Sequence, residues 1–238
     1  MPVLRVGSTE IPYRVRRSSK ATRMRIEVTP EDVLVVAPGS QKDREVAAYV
    51  HRKRKWVFTK REMVRERALR LEEIHPKHYA SGAKVPYRGR KMRLVVRRHE
   101  GARDRIDVRY RNGFEVDCGA SATETQIGKA VEYWLRSRVE TDVHQFVGTY
   151  QTKLDVCARS VVVDDFIHLW GSCGKQGTIR INWRLIFAPK AVLEYVVVHE
   201  LAHLLVRNHN EEFWQLVASV LPDYSAAKRW LDRFEMEL

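Results

Sequence analysis

Three cysteines in 238 residues leave little to cross-link. Cys118, Cys157 and Cys173 are odd in number, far apart and outside any Cys-x-x-Cys pair. That excludes a disulfide framework and points to a reducing compartment. No apolar run approaches the roughly 18 to 20 residues of a membrane-spanning helix. The first residues, Met1-Pro-Val-Leu-Arg-Val, lack the apolar stretch of a secretory signal. The sequence therefore predicts a cytoplasmic protein with no membrane contact. Repeats of solenoid period and low-complexity segments are missing too, which removes arrays and linker proteins. What remains is 44% hydrophobic and 31% charged, a globular composition with length enough for a real core.

Acid is also scarce, with 30 Asp and Glu against 43 Lys and Arg, and the shortage is local. Residues 1–120 carry 30 Lys and Arg against 15 Asp and Glu, a net of +15. Residues 121–238 carry 13 against 15, a net of −2. A basic excess confined to one half predicts an anionic partner, such as nucleic acid (DNA included), a nucleotide or an acidic protein surface, against the alternative of a solvated basic face with no specific partner. His51-Arg-Lys-Arg-Lys is the densest basic run. On a helix it can track phosphates, or it can simply be a solvated face.

The pattern changes at the same place as the charge. The first forty residues alternate like strands, and a long helix follows from about Lys42 to Leu71, with Val46, Val50, Val57 and Val64 among the basic residues. A second set of short strands runs to residue 120, with Asn112-Gly113 as a hairpin turn. From Thr123 to Leu154 the apolar positions fall at helical spacing. Two strand-like segments, Ser160–Asp164 and Gly177–Trp183, bracket Trp170-Gly-Ser-Cys-Gly, read as a turn. Three helices follow, the last from about Ser225 to Glu237. The reading is an α+β chain: a β-rich N-terminal region with one long helix (1–120), then a mostly helical domain with a short sheet (121–238).

His199-Glu200-Leu-Ala-His203 carries the chemistry. Positions i and i+4 of a helix lie one above the other, so both imidazoles can reach one ion. Glu200, turned by about 100° from His199, stands beside the ion and can take a proton from the water it activates. Chance yields only about 0.03 such matches in a chain of this composition, so coincidence is a weak explanation. Zinc in hydrolases commonly takes three protein ligands and keeps one position for water. His209 is the obvious third, with Glu211 or Glu212 as alternatives. Six helical residues turn through about 600°, so the helix must end near Val206 for His209 to face the ion. Asn208 is suited to the left-handed conformation that would end it. The remaining histidines, His51, His75, His78, His99, His144 and His168, are scattered and are expected at the surface or in packing.

Trp170-Gly-Ser-Cys, Ile179-Arg-Ile-Asn-Trp-Arg-Leu-Ile-Phe-Ala-Pro and Val196-Val-Val-His-Glu-Leu-Ala-His-Leu-Leu, with Asn208-His209 and Phe213-Trp214, together resemble the YgjP-like metallopeptidase family. Arg16-Arg17-Ser-Ser-Lys and Tyr87-Arg-Gly-Arg extend the resemblance more loosely into the N-terminal half. This family of metal-dependent hydrolases is related to SprT-like and other zincin proteases. The resemblance implies a zincin-like catalytic domain, one zinc per chain held by His199, His203 and His209, Glu200 as general base, and a peptide or protein substrate. SprT-like relatives digest proteins on DNA, and the YgjP-like group has also been linked to nucleotide pyrophosphate hydrolysis. Metzincins share the histidine spacing but have Gly where this chain has Val206, and they need a downstream Met-turn. The single methionine beyond the motif is Met236, almost at the terminus.

If Gly177–Trp183 is a sheet edge above the metal, an extended peptide can pair with it and present its carbonyl to zinc. Alternation places Arg180, Asn182 and Arg184 on one face as candidate substrate-binding residues. Cys173 is expected in a turn or in the core, and Trp170, Trp183 and Trp214 in packing around the site. Three functions compete: a zinc peptidase with a basic region for an anionic partner, a nucleoside triphosphate pyrophosphatase, and a nucleic-acid-binding module whose zinc is structural. A fourth protein ligand such as Glu212 or Cys173 would favour the last.

Overall fold

The structure is a computed structural model that describes residues 1–74, 76–100, 105–166 and 169–233. Two compact units divide the chain, Met1–Leu71 and Glu72–Leu238. The division falls well before the change of sequence pattern at residue 120, because the second group of strands shares a unit with the helices that follow it.

In the first unit β1 (Val3–Val6) and β2 (Thr9–Pro12) form an antiparallel hairpin. β3 (Arg14–Ser18), β4 (Arg25–Val28) and β5 (Val33–Pro38) form a sheet of order β3-β5-β4. β5 is central, parallel to β3 and antiparallel to β4. That position accounts for its unbroken apolar run, since a strand paired on both edges and covered by a helix meets little water. Val33, Val35 and Ala37 pack with Val46 and Val50 of α1 (Asp43–Arg52) and Val57 of α2 (Arg54–Ile74). The expected single long helix is thus two, interrupted at Lys53, whose backbone (φ −93°, ψ 9°) leaves the helical well.

The second unit opens with β6 (Lys84–Tyr87), β7 (Arg90–His99), β8 (Asp107–Tyr110) and β9 (Phe114–Gly119), in the order β6-β7-β9-β8. Arg88 and Gly89 turn the β6–β7 hairpin with φ of 49° and 79°, the left-handed pair that two-residue hairpin loops require. Thr123 and Gln126 form a capping box that starts the 31-residue α3 (Glu124–Leu154). β10 (Ser160–Asp164), β11 (Gly171–Cys173) and β12 (Thr178–Asn182) make a third sheet of order β10-β12-β11. A 3-10 turn, Trp183–Phe187, leads into α4 (Lys190–Ala202), followed by α5 (Glu211–Val220) and α6 (Tyr224–Asp232). The last residues of the expected final helix lie outside the described residues, as does Met236.

α4 is the hub. It packs against α3, α5, α6, β11 and β12, and all but its first residues and Glu194 are buried. A helix apolar all round belongs in a core, and that is what holds its polar pair, His199 and Glu200, in a fixed place.

Two expectations about the third sheet change. Gly171–Cys173 is a strand, not part of a turn: it pairs antiparallel with Ile179–Ile181. β12 is therefore the middle strand, with β10 parallel on its other side, and offers no edge to a peptide. Among the described residues the open edges of this sheet belong to β10 and β11.

Candidate metal centre

His199 and His203 lie one turn apart at the C-terminal end of α4. Their Nε2 atoms are 3.1 Å apart, and His209 Nε2 stands 2.9 Å from His199 Nε2 and 3.2 Å from His203 Nε2. Nitrogen ligands at the usual 2.0–2.1 Å from a tetrahedral zinc stand about 3.3 Å from one another. The triad fits a single ion on that test. Among the described residues the group contains these three histidines, with no carboxylate or thiol. His199 is buried, His203 half-buried and His209 exposed, so the cluster opens to solvent on the His209 side.

The chain brings His209 round by ending α4 early. α4 stops at Ala202, and Leu204 and Leu205 donate to Leu201 and Ala202 in a tightened last turn. Among the described residues Arg88 and Asp155 are the only non-glycine residues with positive φ. Asn208 therefore does not adopt the expected left-handed conformation. It is not needed, because the tightened turn satisfies the last carbonyls and His203 Nδ1 approaches the Val206 carbonyl at 2.9 Å. Asn210 then caps α5 by accepting from Phe213 N–H at 3.1 Å.

Each imidazole is aimed by its surroundings. A carbonyl only accepts, so the proton of His203 sits on Nδ1 and its Nε2 lone pair is free. His199 Nδ1 faces the Tyr195 hydroxyl at 3.4 Å, an outer partner of the kind that orients ligating histidines. Phe213, fully buried, supports all three rings, with centroids 4.8, 4.6 and 4.9 Å from those of His199, His203 and His209. Trp214 stacks on His209 at 5.7 Å. Burial pushes the His199 pKa down to about 2, reinforced by His203 and His209. Burial is likewise the main cause of the lowered values of His203 and His209. All three are thus neutral near pH 7, the state in which imidazole ligates.

Glu200 is 1% exposed, and its Oε1 has no hydrogen-bond partner. Burial pushes its pKa up to about 8. The space it occupies exists because residue 171 is glycine: a Cβ there would lie 2.6 Å from Glu200 Oε1. β11 is therefore the wall of the site beside the carboxylate. Arg207, between His203 and His209, donates to the carbonyls of Cys173 and Gly174 at 3.1 and 3.3 Å and fixes the end of that strand. The Cys173 thiol is half-buried and raised by burial, which leaves it unactivated.

The family of the chain can now be read from its whole length. The model of the YgjP-like metallopeptidase domain matches residues 22–234. The chain belongs to this family. The YgjP-like domain is accordingly a metal-dependent hydrolase of the peptidase class, and the three histidines are a group that could hold a metal ion. Similar solved structures include the metallopeptidase zymogen abylysin of Pyrococcus abyssi, 25% identical over 38% of this chain and 90% of that one, with a TM-score of 0.34. The metallopeptidase zymogen jannalysin of Methanocaldococcus jannaschii is 16% identical over 38% of this chain and 94% of that one, also with a TM-score of 0.34. No curated protein matches the YgjP-like chain.

The other residues singled out from the sequence are engaged elsewhere in the YgjP-like domain. Arg180 pairs with Asp164 at 2.8 Å. Asn182 is buried, donates to the carbonyls of Phe166 and Leu169, and caps the 3-10 turn. Arg184 pairs with Asp165. The alternation that grouped them ends at Asn182, where the strand gives way to the 3-10 turn. Glu211 accepts from Gln215, and Glu212 is exposed. His78 faces Glu124 and His99 faces Asp117, His51 and His144 are exposed, and His75 and His168 lie outside the described residues. Two residues of the site were missed. Tyr195 had a signal, its i−4 spacing from His199. Gly171 had none, because its role is a contact across 29 positions of sequence.

Proposed function

We propose that this YgjP-like protein is a zinc-dependent peptidase in which His199, His203 and His209 hold one zinc and Glu200 is the general base. The observation that carries the reading is the convergence of three neutral imidazole Nε2 atoms within 3.2 Å, with the residue after the first of them, Glu200, buried and its Oε1 unpartnered. When bound, zinc polarises a scissile carbonyl and lowers the pKa of a water. Glu200 takes the proton of the attacking water and returns it to the leaving amine nitrogen. The two carboxylate states are close in energy because burial has already raised its pKa. Gly171 keeps Glu200 in line, and Tyr195 and the Val206 carbonyl hold the imidazoles. The open edge beside Glu200 is that of β11, so an extended peptide pairs there and not along β12. Three protein ligands and an exposed side favour a catalytic site over a closed structural one.

The test is cleavage of casein, with nucleoside triphosphates assayed in parallel. Glu200→Gln should lower peptide cleavage by about 10²- to 10⁴-fold while the zinc content stays at the wild-type level. Pyrophosphate release that depends on Glu200, with casein untouched, would overturn the peptidase reading in favour of phosphoanhydride hydrolysis.

A further inference from the structure

The structural units share the basic excess more evenly than the sequence halves do, with the first unit still the more basic. Unit Met1–Leu71 carries 18 Lys and Arg against 8 Asp and Glu, a net of +10. Glu72–Leu238 carries 25 against 22. Within the first unit the strand arginines are already neutralised. Arg5 pairs with Glu10, Arg14 with Asp32, Arg17 with Asp43, and Arg16 and Arg25 with Glu27. Glu45 is spent on the backbone N–H of Lys42 at the start of α1. The helix cations are different. Arg52, Lys53 and Lys55 are exposed, and among the described residues none has a carboxylate partner.

Beside them stands Trp56, 47% exposed, whereas the other five tryptophans are buried or half-buried. Lys55, Trp56 and Thr59 stand at three- and four-residue spacing on α2, which sets them on one helical face, and Arg52 ends α1 just before the break at Lys53. That face is turned away from Val57 and Val64, both buried. Lys53, at the interruption between α1 and α2, adds its ammonium at the junction. An indole exposed among cations that have no carboxylate partner answers two chemistries at once: a row of negative charges and a flat π-surface. Acidic peptides and lipid headgroups offer the first alone. Duplex nucleic acid offers phosphates but keeps its base faces stacked. Unpaired nucleotides offer both.

We propose that the α1–α2 junction binds single-stranded nucleic acid, with Arg52, Lys53 and Lys55 on successive phosphates and a base stacked on Trp56. The inference takes up the anionic partner expected from the charge of the sequence and is independent of the metal centre. The test is fluorescence anisotropy of the full chain with a fluorescein-labelled oligothymidylate of about 20 nucleotides, long enough to exceed a typical site size. Three phosphate contacts give a binding constant that falls about 20-fold between 50 and 200 mM salt. Lys53→Ala/Lys55→Ala should flatten the log–log salt slope by about 1.4. Trp56→Ala should weaken binding about 5- to 100-fold at unchanged salt slope, with recovery in Trp56→Phe. A merely structural or purely electrostatic role would not produce that split. Absence of binding at 50 mM salt, or wild-type affinity in Trp56→Ala, would overturn the proposal. So would equal competition, charge for charge, by polyglutamate or phosphatidylserine vesicles. Glu200→Gln should bind the oligonucleotide as the wild type does, and Trp56→Ala should keep wild-type casein cleavage. Failure of one reading therefore leaves the other measurable.

Discussion

Glu200 shows how much of a site rests on an atom that is missing. Its carboxylate fills the volume a Cβ at residue 171 would take, so Gly171→Ala should displace it while leaving the histidines in place. Since misplacing a catalytic group by about 1 Å can cost on the order of 10²-fold, kcat/KM should fall by about that factor at unchanged metal content. Loss of metal in the variant would show that β11 supports the triad instead. His199, Glu200 and His203 were legible because helical spacing is written in the sequence. Gly171 was not, since nothing local distinguishes a glycine that turns a chain from one that makes room. The tyrosines carry a second residue-scale consequence. Burial raises Tyr79 and Tyr150 to about 12, with Glu194 adding to the effect on Tyr150. The folded protein then keeps protons that the unfolded chain releases near pH 10. Their contribution to stability is complete below pH 10 and is lost as pH rises toward 12. The urea midpoint should decline above pH 10, and a flat profile there would refute the burial of these hydroxyls.

Among the elements, α3 and α4 were readable because their apolar positions repeat at helical period over many residues. Interruptions were not: the break at Lys53 and the strand at Gly171–Cys173 depend on packing and pairing that no short window records. The placement of β12 inside its sheet, which removed Arg180, Asn182 and Arg184 from the substrate edge, is likewise a matter of topology. One element contact has measurable weight. Asp142 of α3 is 5% exposed, and it meets Arg88 of the β6–β7 turn at 2.6 Å and Lys190 of α4 at 3.1 Å. The same turn hands its Arg88 and Gly89 N–H groups to the carbonyls of Ile186 and Phe187, just before α4. The charged cluster thus fastens the second sheet to the start of the metal-binding helix. Asp142→Ala leaves both cations without their carboxylate, and about 2 kcal/mol of stability should be lost. Chemical denaturation measures it, and an unchanged midpoint would show that Arg88 and Lys190 find solvent as good a partner.

For the molecule as a whole, the composition located a basic region, and the two structural units share its excess, +10 in Met1–Leu71 and +3 in Glu72–Leu238. The charge-rich unit Met1–Leu71 contains none of the residues of the metal centre. The second sheet, grouped with the basic region on sequence pattern, shares a unit with the catalytic elements, because its pairing and its turn face α3 and α4 across gaps no sequence window spans. No helix among the described residues is long and apolar enough to cross a membrane. The central claim of this account is that three histidines from one helix and the loop after it hold one catalytic zinc. Metal content by mass spectrometry, on the wild type and His209→Ala purified without added metal, tests it most directly. About one zinc per chain in the wild type, largely lost in the variant, is the predicted result. Zinc retained in full by His209→Ala, or no metal in the wild type even after zinc is supplied, would contradict it.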